Sequence, residues 1–287
     1  MKPFLYQRPG SLAQTFDLLS EYGSSARILA GGTDLIVGLR QQSVDASVLV
    51  DIKGIGEFLP EVAFADGHFV IGATTDISRV CENEKFRATF PALVEAMETV
   101  GSVQIRNRAT LVGNVCNASP AADTVPPLAI YGAMVNVGGR DGTRQVPVQE
   151  FIRGPRQTAL RPGEFVLSVQ LPVPNAPLGV AFARLTRRRG VDLATVNLSC
   201  SIDSVGTVRF AFGAVGPRLV LGIERSGVLA DSGAPAGDRD AALANLIAAT
   251  SPRTDIRGTQ DYRSAMLLVL SRRILAEAAG RLDSGQP

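Results

Sequence analysis

The sequence predicts an α+β protein in which two small α/β lobes precede a separate α+β domain. Helix and strand patterns alternate over residues 1–55, and a second alternation begins at Phe69. A proline-punctuated linker at residues 172–177 then leads into a region where strands precede helices. We therefore expect lobes at residues 1–55 and 56–175 and a C-terminal domain at residues 178–287.

The composition is that of an ordinary globular protein. Of the 287 residues, 45% are hydrophobic and 20% are charged, and the formal net charge is +2. These values are not those of a disordered chain, and the charge gives no electrostatic footprint for nucleic acid. The sequence has no apolar run long enough to span a membrane, and its first residues lack the apolar core of a signal peptide. We expect a soluble, cytoplasmic protein.

The few cysteines and the single histidine limit the chemistry of the side chains. Cys81, Cys116 and Cys200 lie far apart and form no CxxC or Cys/His pattern, so we expect no metal site, no iron–sulfur site and no disulfide framework. His68 stands at the start of a short predicted strand, which favours a strand-edge side chain over a catalytic one. No catalytic residue is predicted, and the chemistry is expected to come from a bound cofactor.

Four elements are predicted in the first lobe: a helix, a strand, a second helix and a second strand, at residues 11–21, 27–30, 35–40 and 48–51. Ser11 is a suitable N-cap for the first helix, and Gly23 is a suitable stop. The turn Gly31-Gly32-Thr33-Asp34 joins the first strand to the second helix. This arrangement directs free backbone N–H groups towards an anion, usually a phosphate. A plain tight turn, with Asp34 in the first helical turn, is the alternative.

The second lobe contains the most unusual stretch of the chain, Ala109 to Asp123. Its side chains are nearly all small or short and polar, and it ends in a carboxylate. Such a segment cannot fill a core, but it can bring backbone N–H groups and hydroxyls close to a large ligand. An irregular loop is the alternative. Around it we expect a strand at 69–73, a helix capped by 74–76, helices at 91–100 and 126–130, a hairpin of 134–137 with 144–148, and a strand at 164–171.

In the C-terminal domain, strands are predicted at residues 182–185, 195–202 and 208–215, and helices at 241–250 and 262–282. The last helix has a broad apolar face, which predicts that it packs on the sheet. That face is formed by Met266, Leu267, Val269, Leu270, Ile274 and Leu275.

Two small-residue loops in successive α/β units make the sequence similar to a known family. Ala30–Leu35 resembles the first FAD loop, A-G-G-[HT]-[SD]-L, of the FAD-binding medium subunits of molybdenum hydroxylases, the xanthine dehydrogenase and carbon monoxide dehydrogenase family. Thr110–Asn114 resembles the second loop, T-I-G-G-N, and Ala118–Asp123 matches the segment after it. Arg184–Ala194 resembles the family's K-x-x-x-R-x-x-D-x-A region. The resemblance extends in order from about residue 3 to about residue 280.

The resemblance implies a two-lobed FAD-binding fold of the vanillyl-alcohol oxidase / PCMH type, followed by a C-terminal α+β domain. It implies a chain that carries FAD and transfers electrons within a heterotrimer, expected to form a dimer of heterotrimers. A large molybdenum–pterin subunit would oxidise the substrate, and a small subunit would supply electrons from its [2Fe-2S] clusters. The FAD would pass them to a terminal acceptor. The substrate and the acceptor are both left open.

The same resemblance implies an FAD site with three groups of residues. The first loop would wrap the diphosphate with Ile28, Leu29, Ala30, Gly31, Gly32, Thr33, Asp34 and Leu35. The second loop and its neighbours would contribute Ile105, Ala109, Thr110, Gly113, Asn114, Asn117 and Ala122. Asp123 would accept a hydrogen bond from a ribityl or ribose hydroxyl. Leu167, Arg184 and Leu193 would lie near the flavin rings.

Three positions depart from the pattern or sit awkwardly within it. Val112 replaces the first glycine of the second loop, so we expect extended backbone there and a close approach to the cofactor by Gly113 alone. Arg184 replaces a lysine and changes the geometry of that cation. Asp34 is expected to turn away from the diphosphate and cap the helix.

The run Arg187–Arg189 favours a solvated turn over a subunit interface or an acceptor site.

The sequence is also compatible with two other functions. A self-contained flavin oxidase of the same fold is possible because Cys116, inside the second loop, could attach the flavin covalently. A structural adaptor that has lost FAD is the other alternative, and Val112 is the feature that favours it.

Overall fold

The computed structural model describes residues 1–58 and 62–285, and the strands of the first lobe form one parallel sheet. In chain order the elements are β1 (Leu5–Gln7), α1 (Leu12–Tyr22), β2 (Ala26–Leu29), α2 (Leu35–Arg40) and β3 (Val48–Asp51). The strand order is β1-β3-β2, and both pairings are parallel. Segments that follow parallel strands emerge at one edge of the sheet, where α/β proteins bind ligands. The loop after β2 therefore lies at the carboxyl edge.

The second lobe is a five-stranded antiparallel sheet with helices inserted between its strands. In chain order it contains β4 (Val62–Ala65), β5 (His68–Gly72), α3 (Ile77–Glu82), α4 (Glu84–Thr89), α5 (Pro91–Glu98), α6 (Val103–Arg106), α7 (Leu111–Cys116), α8 (Val125–Ile130), β6 (Met134–Gly139), β7 (Gly142–Pro147), α9 (Val148–Phe151), β8 (Ile152–Gly154), β9 (Gln157–Thr158) and β10 (Phe165–Pro172). The strand order is β4-β5-β10-β6-β7, and β8 and β9 form a separate ribbon. The small-residue stretch of this lobe lies in the connection from β5 to β6.

The C-terminal part is an antiparallel meander covered by a long helix. It consists of β11 (Leu178–Leu185), β12 (Val196–Asp203), β13 (Val208–Gly213), β14 (Val220–Glu224), α10 (Ala236–Ile247) and α11 (Gln260–Asp283). The strands pair in sequence order. The backbones of β11 and α11 lie so close that a Cβ on Gly179 would stand 1.9 Å from the carbonyl oxygen of Ala278. This glycine is required by close packing of helix on sheet.

Two hydrophobic cores hold the chain together. One core lies between the C-terminal sheet and its helices. The other joins both N-terminal lobes and includes Val180 and Ala211, which lie on the opposite face of the C-terminal sheet. Arg281 of α11 fastens the same boundary, since its guanidinium donates to the carbonyl of Val180 at 2.7 Å and to Glu95 Oε1 at 2.5 Å. The C-terminal sheet is therefore covered on both faces.

The local signals located most elements to within a few residues. The hydroxyl of Ser11 accepts from the Gln14 N–H, which confirms the predicted cap of α1. Nine of the described elements were not predicted: β1, β4, α4, α6, α7, α9, β8, β9 and β14. The small-residue stretch, for which an irregular loop was the alternative, contains the short helix α7, and the helix predicted from residue 241 begins at Ala236.

The predicted boundaries at residues 55/56 and 175/178 stay predictions, and residues 59–61 and 286–287 of the predicted domains lie outside the described residues. None of the helices in the described part of the chain combines the length and the apolar character needed to cross a bilayer.

Candidate functional site

The first loop presents a row of unpaired backbone donors. In residues 1–58 and 62–285, the backbone N–H groups of 31–35 donate no hydrogen bond to any backbone or side-chain acceptor. The row begins where β2 ends and continues into the first residue of α2. Successive free amides at a helix start form a concavity that binds anions such as phosphate. The predicted diphosphate loop therefore has the donors that its assignment requires.

Glycine is necessary at both central positions of this loop. A Cβ on Gly31 would lie 2.1 Å from the carbonyl oxygen of Arg108 and 3.0 Å from the Cα of Ala109. Gly32 has a φ of +76°, which disfavours a side chain, and its Cβ would meet Leu29 Cδ1 at 2.8 Å. The first loop thus lies backbone against backbone on the start of the second loop, so the two predicted loops are in contact.

An ion pair between the buried Asp51 and the partly exposed Lys53 lies next to the first loop. The ammonium of Lys53 donates to the carbonyl of Ala30 at 3.1 Å and stands 2.6 Å from Asp51 Oδ1. Asp51 also accepts hydrogen bonds from the Tyr6 hydroxyl and from the Lys53 N–H, the latter at 3.0 Å. Burial raises the pKa of Asp51, but the bonds from Lys53 and Tyr6 outweigh it and hold this pKa below its ordinary value. Asp51 therefore stays ionised.

The second loop is helical where an extended backbone was expected. Thr110 caps α7, since its Oγ1 accepts from the Gly113 N–H at 2.9 Å. Val112 lies inside this helix and is 3% exposed, so the expectation of extended backbone there is wrong. A helical φ suits a β-branched residue, and the Val112 side chain fills the core. Gly113 is exposed, as expected for a residue that approaches a ligand.

The remaining residues of the second loop lie on α7 and the turns after it. Asn114 Oδ1 accepts from the Thr124 hydroxyl at 2.6 Å, and Asn117 is the C-cap of the helix. Ala109 and Ala122 are buried, whereas Ile105 on α6 is 39% exposed.

Asp123 joins the second lobe to the C-terminal sheet. Its Oδ1 accepts from Asn197 Nδ2 at 2.8 Å, and its Oδ2 accepts from Arg184 Nη1 at 2.8 Å. The Thr99 hydroxyl lies 3.3 Å from Oδ2, but its shorter contact, at 2.6 Å, is with the carbonyl oxygen of Ala96. Burial raises the pKa of the Asp123 carboxyl above its ordinary value, although the bonds from Asn197 and Arg184 oppose this shift. A carboxylate offers about four acceptor sites, and Asn197 and Arg184 occupy two of them, which leaves acceptor capacity for a ligand hydroxyl. The geometry is compatible with the predicted hydroxyl contact.

Arg184 brings the C-terminal motif to the same carboxylate. The Nη1 that donates to Asp123 also lies 3.4 Å from the carbonyl oxygen of Asp192, and Nη2 lies 3.4 Å from that of Gly190. Leu193 follows Asp192 directly and is 49% exposed, so its side chain is free for a contact. The neighbouring run 187–189 is exposed, in line with the predicted solvated turn.

Leu167 lies in a different environment. It stands on β10, packs against Gly138, and lines a cleft of about 340 Å³ together with residues of α1 and the β6–β7 turn. None of the other predicted site residues is among the described residues that line this cleft. The structure therefore brings Gly31 to Ala109 and Asp123 to Arg184, and it gives no contact between Leu167 and either pair.

Asp34 does not have the role expected of it. Its backbone is helical, with φ −93° and ψ −41°, and its carboxylate caps no N–H of α2. The expectation of a capping Asp34 is wrong, because a capping side chain reaches the helix from an extended backbone. The side chain is exposed, so solvent screens its charge.

Sequence reasoning missed three side chains around these loops: Lys53, Thr99 and Asn197. Lys53 follows a predicted strand whose neighbour carries the Gly-Gly turn, and this placement was a usable signal. Thr99 and Asn197 carry no local signal, because each looks like an ordinary polar residue at the end of a helix or within a strand.

Comparisons with known proteins cover nearly the whole chain. Residues 2–174 match a family described as "FAD binding domain in molybdopterin dehydrogenase", and residues 181–278 match "CO dehydrogenase flavoprotein C-terminal domain". The carbon monoxide dehydrogenase medium chain of Afipia carboxidovorans is 32% identical over 290 residues, which cover 97% of each chain. The xanthine dehydrogenase FAD-binding subunit of Escherichia coli O157:H7 is 27% identical over 95% of each. A solved Cu,Mo-CO dehydrogenase in its cyanide-inactivated form matches with a TM-score of 0.89 and 30% identity, over 98% of this chain and 100% of that one.

Proposed function

This chain belongs to the family of FAD-binding medium subunits of molybdenum hydroxylases. We propose that its FAD takes electrons from the [2Fe-2S] clusters of a small partner subunit and passes them to a terminal acceptor. The predicted fold class is confirmed: the chain has a two-lobed FAD-binding fold and a C-terminal α+β domain. The chain is an oxidoreductase subunit with FAD as its cofactor.

The observation that supports FAD at these loops is the row of free amides at 31–35, which lies against the second loop at Ala109. FAD requires donors for a diphosphate and an acceptor for its polyol hydroxyls, and the residues present fit both needs. The free amides at 31–35 would donate to the diphosphate, and Asp123 retains acceptor capacity for a hydroxyl. The assignment of each predicted residue to the cofactor remains part of this proposal.

The electron-transfer role follows from what this cofactor can do. Bound FAD accepts electrons singly and can release them in pairs, which suits a position between one-electron clusters and a two-electron acceptor. The residues of this chain hold and orient the cofactor: the loops bind the diphosphate, Asp123 fixes the polyol, and Arg184 holds Asp123 from the C-terminal domain. We propose a small [2Fe-2S] subunit and a large molybdenum–pterin subunit as partners, in a dimer of heterotrimers.

One observation argues against the self-contained flavin oxidase. Burial raises the pKa of the Cys116 thiol to about 12, and a thiol that stays protonated is a poor nucleophile for covalent flavin attachment. The structural adaptor loses its main support as well, because Val112 is unstrained within α7 and does not close the loop.

Purification of the complex from its native host tests the proposal. We expect three subunits, one flavin per copy of this chain that acid releases as FAD, and molybdenum and iron in the partners. When all three subunits are present, the substrate of the partner subunits should bleach the flavin absorbance without any added dithionite. Flavin that stays on the protein after acid treatment would favour the oxidase, and a complex without flavin would favour the adaptor.

A further inference from the structure

The charged side chain of Lys53 lies at the carboxyl edge of the parallel sheet, and it has no part in the site as proposed above. It lies in the short 3-10 turn Ile52–Gly54 that follows β3. Its ammonium is 3.1 Å from the carbonyl oxygen of Ala30, the residue directly before the row of free amides. The side chain is only 31% exposed, so it is held against the loop.

The peptide between Ala30 and Gly31 determines what this contact can do. No described peptide bond is cis, and in a trans peptide the C=O and the N–H point in opposite directions. With Lys53 on the carbonyl side, the N–H of Gly31 points away from Lys53. A cation on the carbonyl polarises the peptide and makes its N–H a stronger donor. Lys53 therefore lies on the carbonyl side of this peptide and would act on the anion through the peptide.

Asp51 keeps the ammonium in this position. It is 4% exposed, and besides its 2.6 Å contact with Lys53 Nζ it accepts from the Tyr6 hydroxyl and the Lys53 N–H. Three contacts fix its carboxylate, and the carboxylate fixes Lys53 against the loop. The sheet edge thus forms a chain of contacts from β1 through β3 to the first loop.

We propose that Lys53 is a positioning residue of the FAD site, which anchors the first loop through the Ala30–Gly31 peptide and strengthens its amides as donors to the diphosphate. The inference rests on the proposed binding of FAD at these loops. Because Lys53 acts through a peptide, its effect is smaller than that of a direct phosphate contact. We expect removal of its charge to raise the FAD dissociation constant about three- to tenfold.

The test is titration of the full-length apoprotein with FAD, followed by flavin fluorescence at several ionic strengths. Lys53→Met and Lys53→Gln should raise the dissociation constant, and Lys53→Arg should restore most of the affinity. ADP, which carries the diphosphate without the flavin, should lose affinity by a similar factor. Lys85→Met is the matched control, since Lys85 is an exposed lysine on α4 and its loss changes the net charge equally.

A double variant separates positioning from simple neutralisation of Asp51. If Lys53 only compensates this buried carboxylate, Asp51→Asn with Lys53→Met will bind FAD as the wild type does, and the proposal is overturned. We expect the double variant to stay weaker, with a reduced dependence of FAD affinity on salt. Equal affinity of the wild type and both neutral variants would also overturn the inference, whereas a wild-type chain that binds no FAD would overturn the proposed function itself.

Discussion

Replacement of Gly31 by alanine tests the contact between the two loops most directly. The added Cβ would lie 2.1 Å from the carbonyl oxygen of Arg108, a backbone atom that cannot rotate away. Ordinary C···O contacts are about 3.3 Å or longer, so the loops must separate by about 1.2 Å. Overpacking of this kind costs about 1–3 kcal/mol of unfolding free energy. For a chain of this size the melting temperature should fall by about 3–10 °C.

The same displacement should weaken FAD binding more than it weakens folding. The amides at 31–35 would move by a distance that exceeds the tolerance of an N–H···O bond, about 2.7–3.2 Å between heavy atoms. Loss of one bond to a charged group costs about 1.5–3 kcal/mol, which corresponds to a roughly 10- to 100-fold rise in the FAD dissociation constant.

Flavin titration and thermal unfolding of the apoprotein measure the two effects separately. Gly56→Ala is the control, because a Cβ at Gly56 meets no atom of the described residues within 4 Å and needs no unusual φ. If Gly31→Ala binds FAD and melts like the wild type, the backbone contact between the loops is refuted as the basis of the site.

Three further predictions concern other parts of the site and its supports. The pKa of Asp123 is raised in the folded protein, so the folded apoprotein binds this proton more tightly than the unfolded chain does. The free energy of unfolding of the wild type, compared with that of Asp123→Asn, should therefore fall as the pH rises from 3.8 through the folded-state pKa. Unfolding experiments across this pH range measure the difference. Cys116→Ser should retain the wild-type flavin content, and trichloroacetic acid should release all flavin from both proteins. Flavin retained by the wild type alone would contradict a partly buried thiol that stays protonated. Arg281→Met should lower the melting temperature by several degrees, because it removes bonds to Glu95 and to a backbone carbonyl at the domain boundary. Arg272→Met, which breaks an exposed pair, should change it little, and equal losses would contradict the role of the boundary contact.

Local sequence signals were sufficient where a single residue decides the backbone. Ser11 predicted the start of α1 because a hydroxyl before an apolar-periodic run satisfies a free helix N–H. The Gly-Gly turn predicted the first loop, and Gly32 does adopt a φ that other residues avoid.

The second loop shows where such signals fail. Val112, Gly113 and Asn114 have low helix propensity, so the sequence favoured a loop. The structure makes this segment helical because Thr110 caps it and because Leu111 and Val115, both 0% exposed, bury their side chains in the core. Tertiary packing outweighs the small propensity differences, and it also removes the expected strain at Val112.

The sequence by itself determined the family, the fold class, the cofactor and the Gly-Gly turn of the first loop, because short motifs of neighbouring residues carry the resemblance and the turn. Only the tertiary structure decided which side chains surround the loops. Asn197 reaches Asp123 across 74 positions, and Lys53 reaches the carbonyl of Ala30 across 23. The packing of sheets and helices against each other determines such contacts, and no local sequence pattern predicts them. Asp123, first marked as the end of a small-residue stretch, thereby becomes the carboxylate that links the second lobe to the C-terminal sheet.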